Sequence, residues 1–115
     1  MLDKEPAFFM RSKIWIEDRN GNVVFGLGRY RILEAVNRLG SLRAASKELK
    51  MSYRGVWCKI KASEEQIGKP LLIRRKKGST ITPLAETLMK QFRRIQIIVE
   101  SESNEVYQEL MQKEL

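Results

Sequence analysis

The sequence predicts a mainly α-helical protein with a small amount of β-structure, and three observations support this class. Apolar residues recur at helical spacing over most of the chain. Two pairs of short segments instead read as strands that return around glycine-containing turns. Serine, proline and glycine stand where helices are expected to begin and end.

The first predicted element is a β-hairpin. Residues 11–17, RSKIWIE, alternate polar and apolar side chains, and residues 22–25, NVVF, form the returning strand. The Asn-Gly pair at 20–21 supplies the positive φ angles that a tight hairpin turn needs. Gly26 and Gly28 are expected to end the second strand.

Two helices are predicted next. The first begins at Arg29, carries apolar residues at helical spacing, and meets Gly40 at its expected end. Ser41 is a suitable N-cap for the second, SLRAASKELK. The short connection that follows contains Lys50, where such turns often have glycine; a positive φ there would cost about 1–2 kcal/mol.

A third helix, a second hairpin and a long helix complete the pattern. Ser52 caps the third helix, expected over 52–66, with Gly68 as its stop signal. Residues 71–75 and 80–82 form two short strands around the turn KKGS. Thr82-Pro83 then begins a helix that continues almost to the end of the chain.

This order of elements is that of a winged helix-turn-helix with an N-terminal β-hairpin and a long C-terminal helix. The helix-turn-helix spans about 41–66 and the wing about 71–82. We therefore expect a winged helix-turn-helix domain at 1–82 and a C-terminal dimerisation helix at 83–115.

Composition argues against several classes of protein. One cysteine and no histidine exclude an intrachain disulfide and a His/Cys zinc site, and no nucleotide-binding or hydrolase motif is present. No apolar run approaches the roughly 18 residues that span a bilayer, and acids stand where a signal peptide would be basic. The prediction is a cytoplasmic protein that is not an enzyme, with no metal, no other cofactor and no membrane partner.

The positive charge is concentrated in the middle of the chain. The net charge is +8, yet residues 29–77 alone hold fourteen basic and four acidic side chains. Residues 78–115 hold four basic and six acidic ones. This asymmetry favours a polyanionic partner, and a solvated basic face without a partner is the alternative.

Helical geometry sorts the side chains of the third helix, MSYRGVWCKIK and onward. With 100° per residue, Val56, Ile60 and Ile67 form a buried stripe. Tyr53 lies at the margin of the stripe and Trp57 on its flank, whereas the side chains that point away from it are Arg54, Cys58 and Lys61.

These positions predict a surface that contacts nucleic acid. Arg54 opposes the helix dipole at a cost of about 0.3–1 kcal/mol, so it has little structural reason to be there and is the foremost candidate for reading guanine or gripping phosphate. Ser52 caps the helix and can present its N–H to a phosphate. Tyr53 is a boundary residue or a direct contact, Trp57 braces the wing or contacts sugars and methyl groups, and Cys58 is a small filler or groove-facing residue.

Cations flank this helix on both sides. Four stand in succession from the end of the first wing strand into the turn: Arg74, Arg75, Lys76 and Lys77. They are expected to contact phosphates, and insertion of one of them into the minor groove is the alternative. Arg43 and Lys47 share a face of the preceding helix and are expected to hold the backbone from the other side.

The segment GSLRAASKELKMSYRGVWCKIKASEEQIGKPLLIRRKKGSTITP resembles the LysR-type winged helix-turn-helix. With Ser52-Tyr53-Arg54, Val56-Trp57 and the upstream run KIWIEDRNGNVVFGLGRYRILEAV, it more closely resembles the N-terminal domain of the ModE family of molybdate-responsive regulators. The resemblance covers roughly residues 11–100. It implies a DNA-binding dimer with the third helix in the major groove, the wing over the backbone, and the long helix paired with its counterpart.

The apolar positions of the long helix are consistent with that pairing. We expect the dimer interface to contain Leu88, Phe92, Ile95, Val99, Val106 and Leu110. Members of the ModE family continue into β-domains that bind molybdate, and this sequence ends within the long helix, so a molybdate response is not expected.

The favoured hypothesis is a homodimeric bacterial transcription regulator that binds a palindromic operator in double-stranded DNA and has no built-in ligand sensor. A separate protein could supply effector sensing. Two alternatives stay open: a protein-interaction module whose acidic end meets a basic partner, and a non-specific architectural DNA-binding protein.

Overall fold

A computed structural model describes residues 7–114 and places four helices and four short strands in that range. The elements in chain order are β1 (Trp15–Glu17), β2 (Val23–Gly26), α1 (Leu27–Leu39), α2 (Leu42–Glu48), α3 (Tyr53–Ile67), β3 (Leu72–Arg74), β4 (Ser79–Ile81) and α4 (Pro83–Glu114). β1 pairs antiparallel with β2 and β3 with β4. The predicted order of elements is confirmed, while the outermost residues of the two predicted domains, 1–6 and 115, lie outside the described range.

The N-terminal hairpin closes through a five-residue loop that an aspartate organises. The Asp18 carboxylate accepts hydrogen bonds from the backbone N–H groups of Asn20 and Asn22, at 2.9 and 3.0 Å. Gly21 adopts φ 82°, as predicted, whereas Asn20 does not adopt a positive φ, because the strands are joined by this longer loop and not by a tight Asn-Gly turn. The hydrogen bond from Asn22 N–H, the largest cause, lowers the pKa of Asp18.

The first helix begins two residues earlier than expected, at Leu27 rather than Arg29. Gly28 therefore lies in the first turn of α1, where N–H groups have no intrahelical partner and a glycine disturbs the hydrogen-bond ladder least. Gly26 has a different role, because a Cβ there would come within 3.1 Å of the Trp15 Cβ.

Helix ends follow the capping signals in the sequence. The Ser41 hydroxyl accepts from the Ala44 N–H at 3.0 Å, and the Thr82 hydroxyl accepts from the Ala85 N–H at 3.1 Å. Gly40 and Gly68 end α1 and α3 in the left-handed conformation. Lys50 also adopts a positive φ, 56°, so the turn between α2 and α3 carries the strain that its sequence predicted.

One hydrophobic core joins the hairpin, the helix-turn-helix and the start of α4. Its fully buried members come from β2, from all four helices and from the approach to the wing: Phe25, Ile32, Leu33, Ala35, Val36, Ala45, Val56, Ile60, Leu71 and Ala85. Phe92 closes this core from α4, at 5.3 Å edge-to-face from the Phe25 ring. The core therefore extends past residue 82, where the sequence placed the domain boundary.

This packing corrects one assignment. Phe92 was expected in the dimer interface, yet it is only 4% exposed and its ring packs on Phe25 and Tyr30 of the same chain. Leu88 is also partly buried against the core. Helical spacing alone does not separate Leu88 and Phe92 from the later apolar residues of α4. One stripe of a long helix can pack on the core of its own chain in its first turns and be exposed in its later turns.

Beyond Phe92 the same stripe is open. We call Ile95, Val99, Val106 and Leu110 the α4 stripe; Ile95, Val106 and Leu110 are exposed, Leu110 to 60%, and Val99 is half-buried. At 1.5 Å per residue the 32-residue helix is roughly 48 Å long, which accounts for most of the 60 Å long axis of the molecule.

An extended segment before β1 lies along another side of α4. The side chain of Gln108 donates to the Phe8 carbonyl at 2.6 Å, and that of Gln96 donates to the Ser12 carbonyl at 3.1 Å. Between them, Arg11 forms an ion pair with Glu100 at 3.1 Å. No helix in the described range has the length and apolar character to cross a membrane.

Candidate nucleic-acid interface

The N-terminus of α3 is fixed by its cap. The Ser52 hydroxyl accepts from the Gly55 N–H at 2.9 Å, and a Cβ on Gly55 would lie 2.9 Å from that same oxygen. The atom that crowds this position is therefore the capping hydroxyl. A larger residue at 55 would push the cap away from the helix end.

The exposure of α3 confirms the orientation that helical spacing predicted. Val56 and Ile60 are buried, Tyr53 is half-buried, and the side chains that face solvent are those of Arg54, Cys58 and Lys61. Trp57 is 38% exposed, on the flank of the buried stripe. The first turns of α3 therefore present a polar, cationic face to the outside.

Arg43 of α2 braces the start of α3. Its guanidinium carbon lies 4.7 Å from the centroid of the Tyr53 ring, within the range of a cation–π contact. Because the ring is half-buried, this contact holds Arg43 beside α3 while the charge stays exposed. Lys47, one turn further along α2, is exposed as well.

A chain of contacts ties α3 to the wing. The Lys61 ammonium lies 5.8 Å from the Trp57 ring centroid and 3.1 Å from a carboxylate oxygen of Glu64. The Glu64 carboxylate also accepts from the backbone N–H groups of Leu71 and Leu72, at 2.7 and 3.2 Å. Burial raises the pKa of Glu64, but these hydrogen bonds and Lys61 outweigh it, and the net effect is a lowered pKa.

The wing, formed by β3, β4 and the turn between them, is anchored at its tip to the end of α1. The Ser79 N–H donates to the Gly40 carbonyl at 2.8 Å. Gly78 adopts φ 94°, and a Cβ there would stand 2.0 Å from the Gly40 oxygen, so only glycine fits. Within the turn, Arg75 N–H donates to the Gly78 carbonyl at 2.9 Å.

Two adjoining clefts bring predicted contact residues together. The larger, of about 220 Å³, lies between the starts of α2 and α3 and the wing, and its polar wall consists of Arg43, Tyr53, Arg74, Arg75 and Lys76. The smaller, of about 60 Å³, is lined by Trp57, Lys61 and Arg74. We call the larger cleft the basic groove.

The remaining predicted contacts lie outside both clefts. Ser52 and Arg54 stand on the exposed start of α3 and Cys58 one turn later; Lys47 lies on α2 and Lys77 at the wing tip. All five are exposed. They flank the basic groove instead of lining it.

Two acidic side chains of α1 and α2 are paired within the chain. Arg38 forms ion pairs with both Glu34 and Glu48, which lowers the pKa of Glu48 and raises that of Arg38. Within residues 7–114, no ion pair involves Arg43, Lys47, Arg54 or the wing cations Arg74, Arg75, Lys76 and Lys77. Their charge is therefore available to an external polyanion.

Sequence reasoning missed the two contacts that position the wing. Glu64 stands three residues after Lys61, a spacing that predicts an ion pair but not the backbone N–H groups it accepts from. The contact between Gly78 and Gly40 joins residues far apart in the chain and leaves no local pattern. The described residues contain no group of His, Cys, Asp and Glu side chains arranged to hold a metal ion.

Comparison with known proteins relates the central part of this chain to bacterial regulators. The family model described as bacterial regulatory helix-turn-helix protein, lysR family, matches residues 27–86. Among solved structures, the DNA-binding domain of CbnR in complex with DNA is similar at a TM-score of 0.61 and 22% identity, over 75% of this chain and 99% of that one.

Two further structures extend the comparison. The BenM DNA-binding domain in complex with benA site 1 DNA has a TM-score of 0.59 and 20% identity, over 73% of this chain and 98% of that one. ArgP from Mycobacterium tuberculosis has a TM-score of 0.55 and 30% identity, over 70% of this chain but only 29% of ArgP. The chain thus spans nearly all of the isolated DNA-binding domains and less than a third of that regulator.

Proposed function

Since this chain belongs to the lysR family of bacterial regulatory helix-turn-helix proteins, we propose that it is a sequence-specific DNA-binding transcription regulator that acts as a homodimer. It acts in the cytoplasm on double-stranded DNA, and binding rather than catalysis is its activity. The observation that carries the proposal is the basic groove, where unpaired cations from a helix-turn-helix and a wing converge.

In this proposal α3 enters the major groove by its N-terminal turns. Arg54 and Cys58 face outward there, and Arg54 has the length and the planar donors to read a guanine edge. Ser52 caps the helix, so its end can approach a phosphate closely. Tyr53, Trp57 and Lys61 lie on the sides of α3 and contact the sugar-phosphate backbone.

The cations of α2 and of the wing hold the duplex from both sides. Arg43, positioned by the Tyr53 ring, and Lys47 contact one phosphate strand. Arg74, Arg75, Lys76 and Lys77 contact the other through the wing, whose anchor on Gly40 limits its movement.

The homodimer is formed by the α4 stripe. An apolar stripe on a long helix, with its outer half open to solvent, is the usual sign of helix pairing. Two copies related by a dyad would read half-sites of a palindromic operator about one helical turn, roughly 34–36 Å, apart.

We also infer a closer relation to the ModE-like regulators within this broad family. The run Ser52-Tyr53-Arg54 with Val56-Trp57 and the hairpin that precedes α1 support it. The relation concerns the DNA-binding part alone, so molybdate response is not carried over, and effector sensing by a separate protein is compatible with it.

The direct test is selection of bound duplexes from a random pool at near-physiological salt, followed by sequencing. Enrichment of a palindrome with half-sites about one helical turn apart is the expected result. Recovery of duplexes with no enriched motif would replace the proposal with an architectural role. Recovery of none would favour a protein-interaction module.

The salt dependence of binding tests the wing. Arg75→Gln and Lys77→Gln should each weaken binding equally on all sequences and reduce the slope of log affinity against log salt by about 1. Lys113→Gln, near the far end of α4, is the matched control and should leave the slope unchanged. If a wing variant has the wild-type slope, the substituted residue does not contact a phosphate.

A further inference from the structure

A cavity of about 500 Å³ lies between the N-terminal hairpin, the first turn of α1 and α4. Its lining includes apolar side chains, those of Ile14, Trp15 and Leu27. It also includes cationic ones: Lys13, and the arginines Arg29, Arg31 and Arg93 from two different helices. Apolar and cationic side chains around one space match a ligand with an apolar body and a negative group.

The three arginines have no carboxylate partner within residues 7–114. Glu100 is the acidic side chain in the cavity lining, and it is already engaged by Arg11 at 3.1 Å. Arg29 is partly buried, and burial lowers its pKa because it disfavours the charged form. An anion in the cavity would supply the missing counter-charge.

The backbone at the base of the cavity also favours an anion. Gly26, Leu27 and Gly28 begin α1 there; no side chain caps this end and its first turn holds no acid. The free N–H groups and the helix dipole attract negative charge.

The position of the cavity separates it from the two surfaces already proposed. The wing meets the C-terminal end of α1 at Gly40, whereas the cavity lies at the N-terminal end, roughly 20 Å away along the 13-residue helix. On α4, Arg93, Gln96 and Glu100 lie roughly 100° around the axis from the α4 stripe. The cavity therefore shares no residue with the basic groove, and its α4 residues are not those of the α4 stripe.

We propose that this cavity binds a small organic carboxylate with an apolar or aromatic body. The carboxylate lies between Arg29, Arg31, Arg93 and the first turn of α1, and the body packs on Trp15 and Leu27.

Arg29 connects this site to the helix that is proposed to read DNA. Its Nε donates to the Ser63 hydroxyl of α3 at 2.9 Å, and Ser63, fully buried, donates to the Val24 carbonyl at 2.6 Å. A ligand that binds the Arg29 guanidinium therefore contacts a residue that is hydrogen-bonded directly to α3. This coupling, which rests on the proposed function, makes the carboxylate a modulator of DNA affinity.

Binding can be measured on the full chain without DNA. Trp15 lines the cavity and the second tryptophan is Trp57, so Trp57→Phe leaves Trp15 as the sole fluorescent reporter. Benzoate is the probe; benzamide keeps its aromatic body without the charge, and inorganic phosphate keeps a charge without the body. Saturable change of Trp15 fluorescence with benzoate, at least tenfold tighter than with either comparison compound, is expected.

Two variants locate the site. Arg93→Gln should weaken benzoate binding at least tenfold, whereas Arg94→Gln, its exposed neighbour outside the cavity lining, should not. Gly28→Glu places a carboxylate in open space at the first turn, so it should abolish binding while retaining or raising the thermal unfolding temperature. Because Gly28→Glu should remain folded, it separates loss of benzoate binding from loss of the folded structure.

The results for benzoate binding test the site itself, and the results for duplex binding test the coupling and the proposed function. Equal affinity for benzoate and benzamide, or equal loss with Arg93→Gln and Arg94→Gln, would overturn the carboxylate site. If benzoate binds as expected, at least a fivefold change in duplex affinity at saturation is expected from coupling through Arg29. Benzoate binding with unaltered duplex affinity would overturn the coupling alone, and loss of duplex binding altogether would concern the proposed function alone.

Discussion

Arg54 stands in the first turn of α3, where its positive charge opposes the helix dipole, and its side chain is exposed with no ion-pair partner within residues 7–114. No ion pair within that range offsets this unfavourable interaction, so we expect the stabilising partner of Arg54 to be the bound DNA. Arg54→Ala should lower operator affinity by about 1–3 kcal/mol and relax the preference at one base pair per half-site. Competition binding against single-base operator variants measures this; equal weakening on every sequence would make Arg54 a phosphate contact.

Glycine is required for different reasons at Gly21 and at Gly78. Both adopt a positive φ, 94° and 82°, but a Cβ meets nothing within 4 Å at Gly21 and the Gly40 oxygen at 2.0 Å at Gly78. Gly21→Ala should cost about 1 kcal/mol of unfolding free energy from backbone strain alone. Gly78→Ala should cost clearly more and weaken DNA binding, because the wing must leave Gly40. Urea unfolding measures the loss of unfolding free energy in each variant. Equal losses would show that the close approach of Gly78 to the Gly40 oxygen does not constrain the wing.

Among elements, the junction of α3 with β3 depends on one carboxylate. The pKa of Glu64 is lowered in the folded chain, so its contribution to stability is present above about pH 5 and is lost as the pH falls through the folded pKa. Glu64→Gln should flatten the loss of unfolding free energy between pH 6 and pH 3. Glu65→Gln, exposed and next in sequence, is the control and should keep the wild-type profile. An unaltered profile in Glu64→Gln would mean that the carboxylate charge does not hold the wing.

At the scale of the whole molecule, α4 serves two surfaces in succession. Its first third closes the core through Ala85 and Phe92, and its outer part carries the α4 stripe. Ile95→Glu should raise the dimer dissociation constant at least about tenfold, because dimerisation would bury an unpaired charge. Ile97→Glu adds the same charge to the opposite side of the helix and should leave the dimer intact. Sedimentation equilibrium distinguishes them, and two equally dimeric variants would place the interface elsewhere.

Phe92→Ala provides the complementary result for the same helix. Since the ring packs on Phe25 in the core, the substitution should cost about 3–5 kcal/mol of unfolding free energy. Thermal unfolding measured over a range of protein concentrations checks the assignment. A loss confined to the dimer, with monomer stability retained, would return Phe92 to the interface.

The sequence by itself determined the order of elements, because capping serines, Pro83 and the helix-ending glycines act through local hydrogen bonds and backbone angles. It also determined which side of α3 is buried, because 3.6-residue periodicity is a local property of the chain. The DNA-contacting roles of the exposed side chains stay predictions that the substitutions above test.

Only the tertiary structure decided which contacts close between distant residues. It assigned Phe92 to the core instead of the dimer, placed Gly78 against Gly40, and gave Glu64 the backbone N–H groups of Leu71 and Leu72. It also brought Arg29, Arg31 and Arg93 around one cavity. Such contacts depend on how elements pack across the molecule, and the periodicity of one element does not show which residue of another element it will meet.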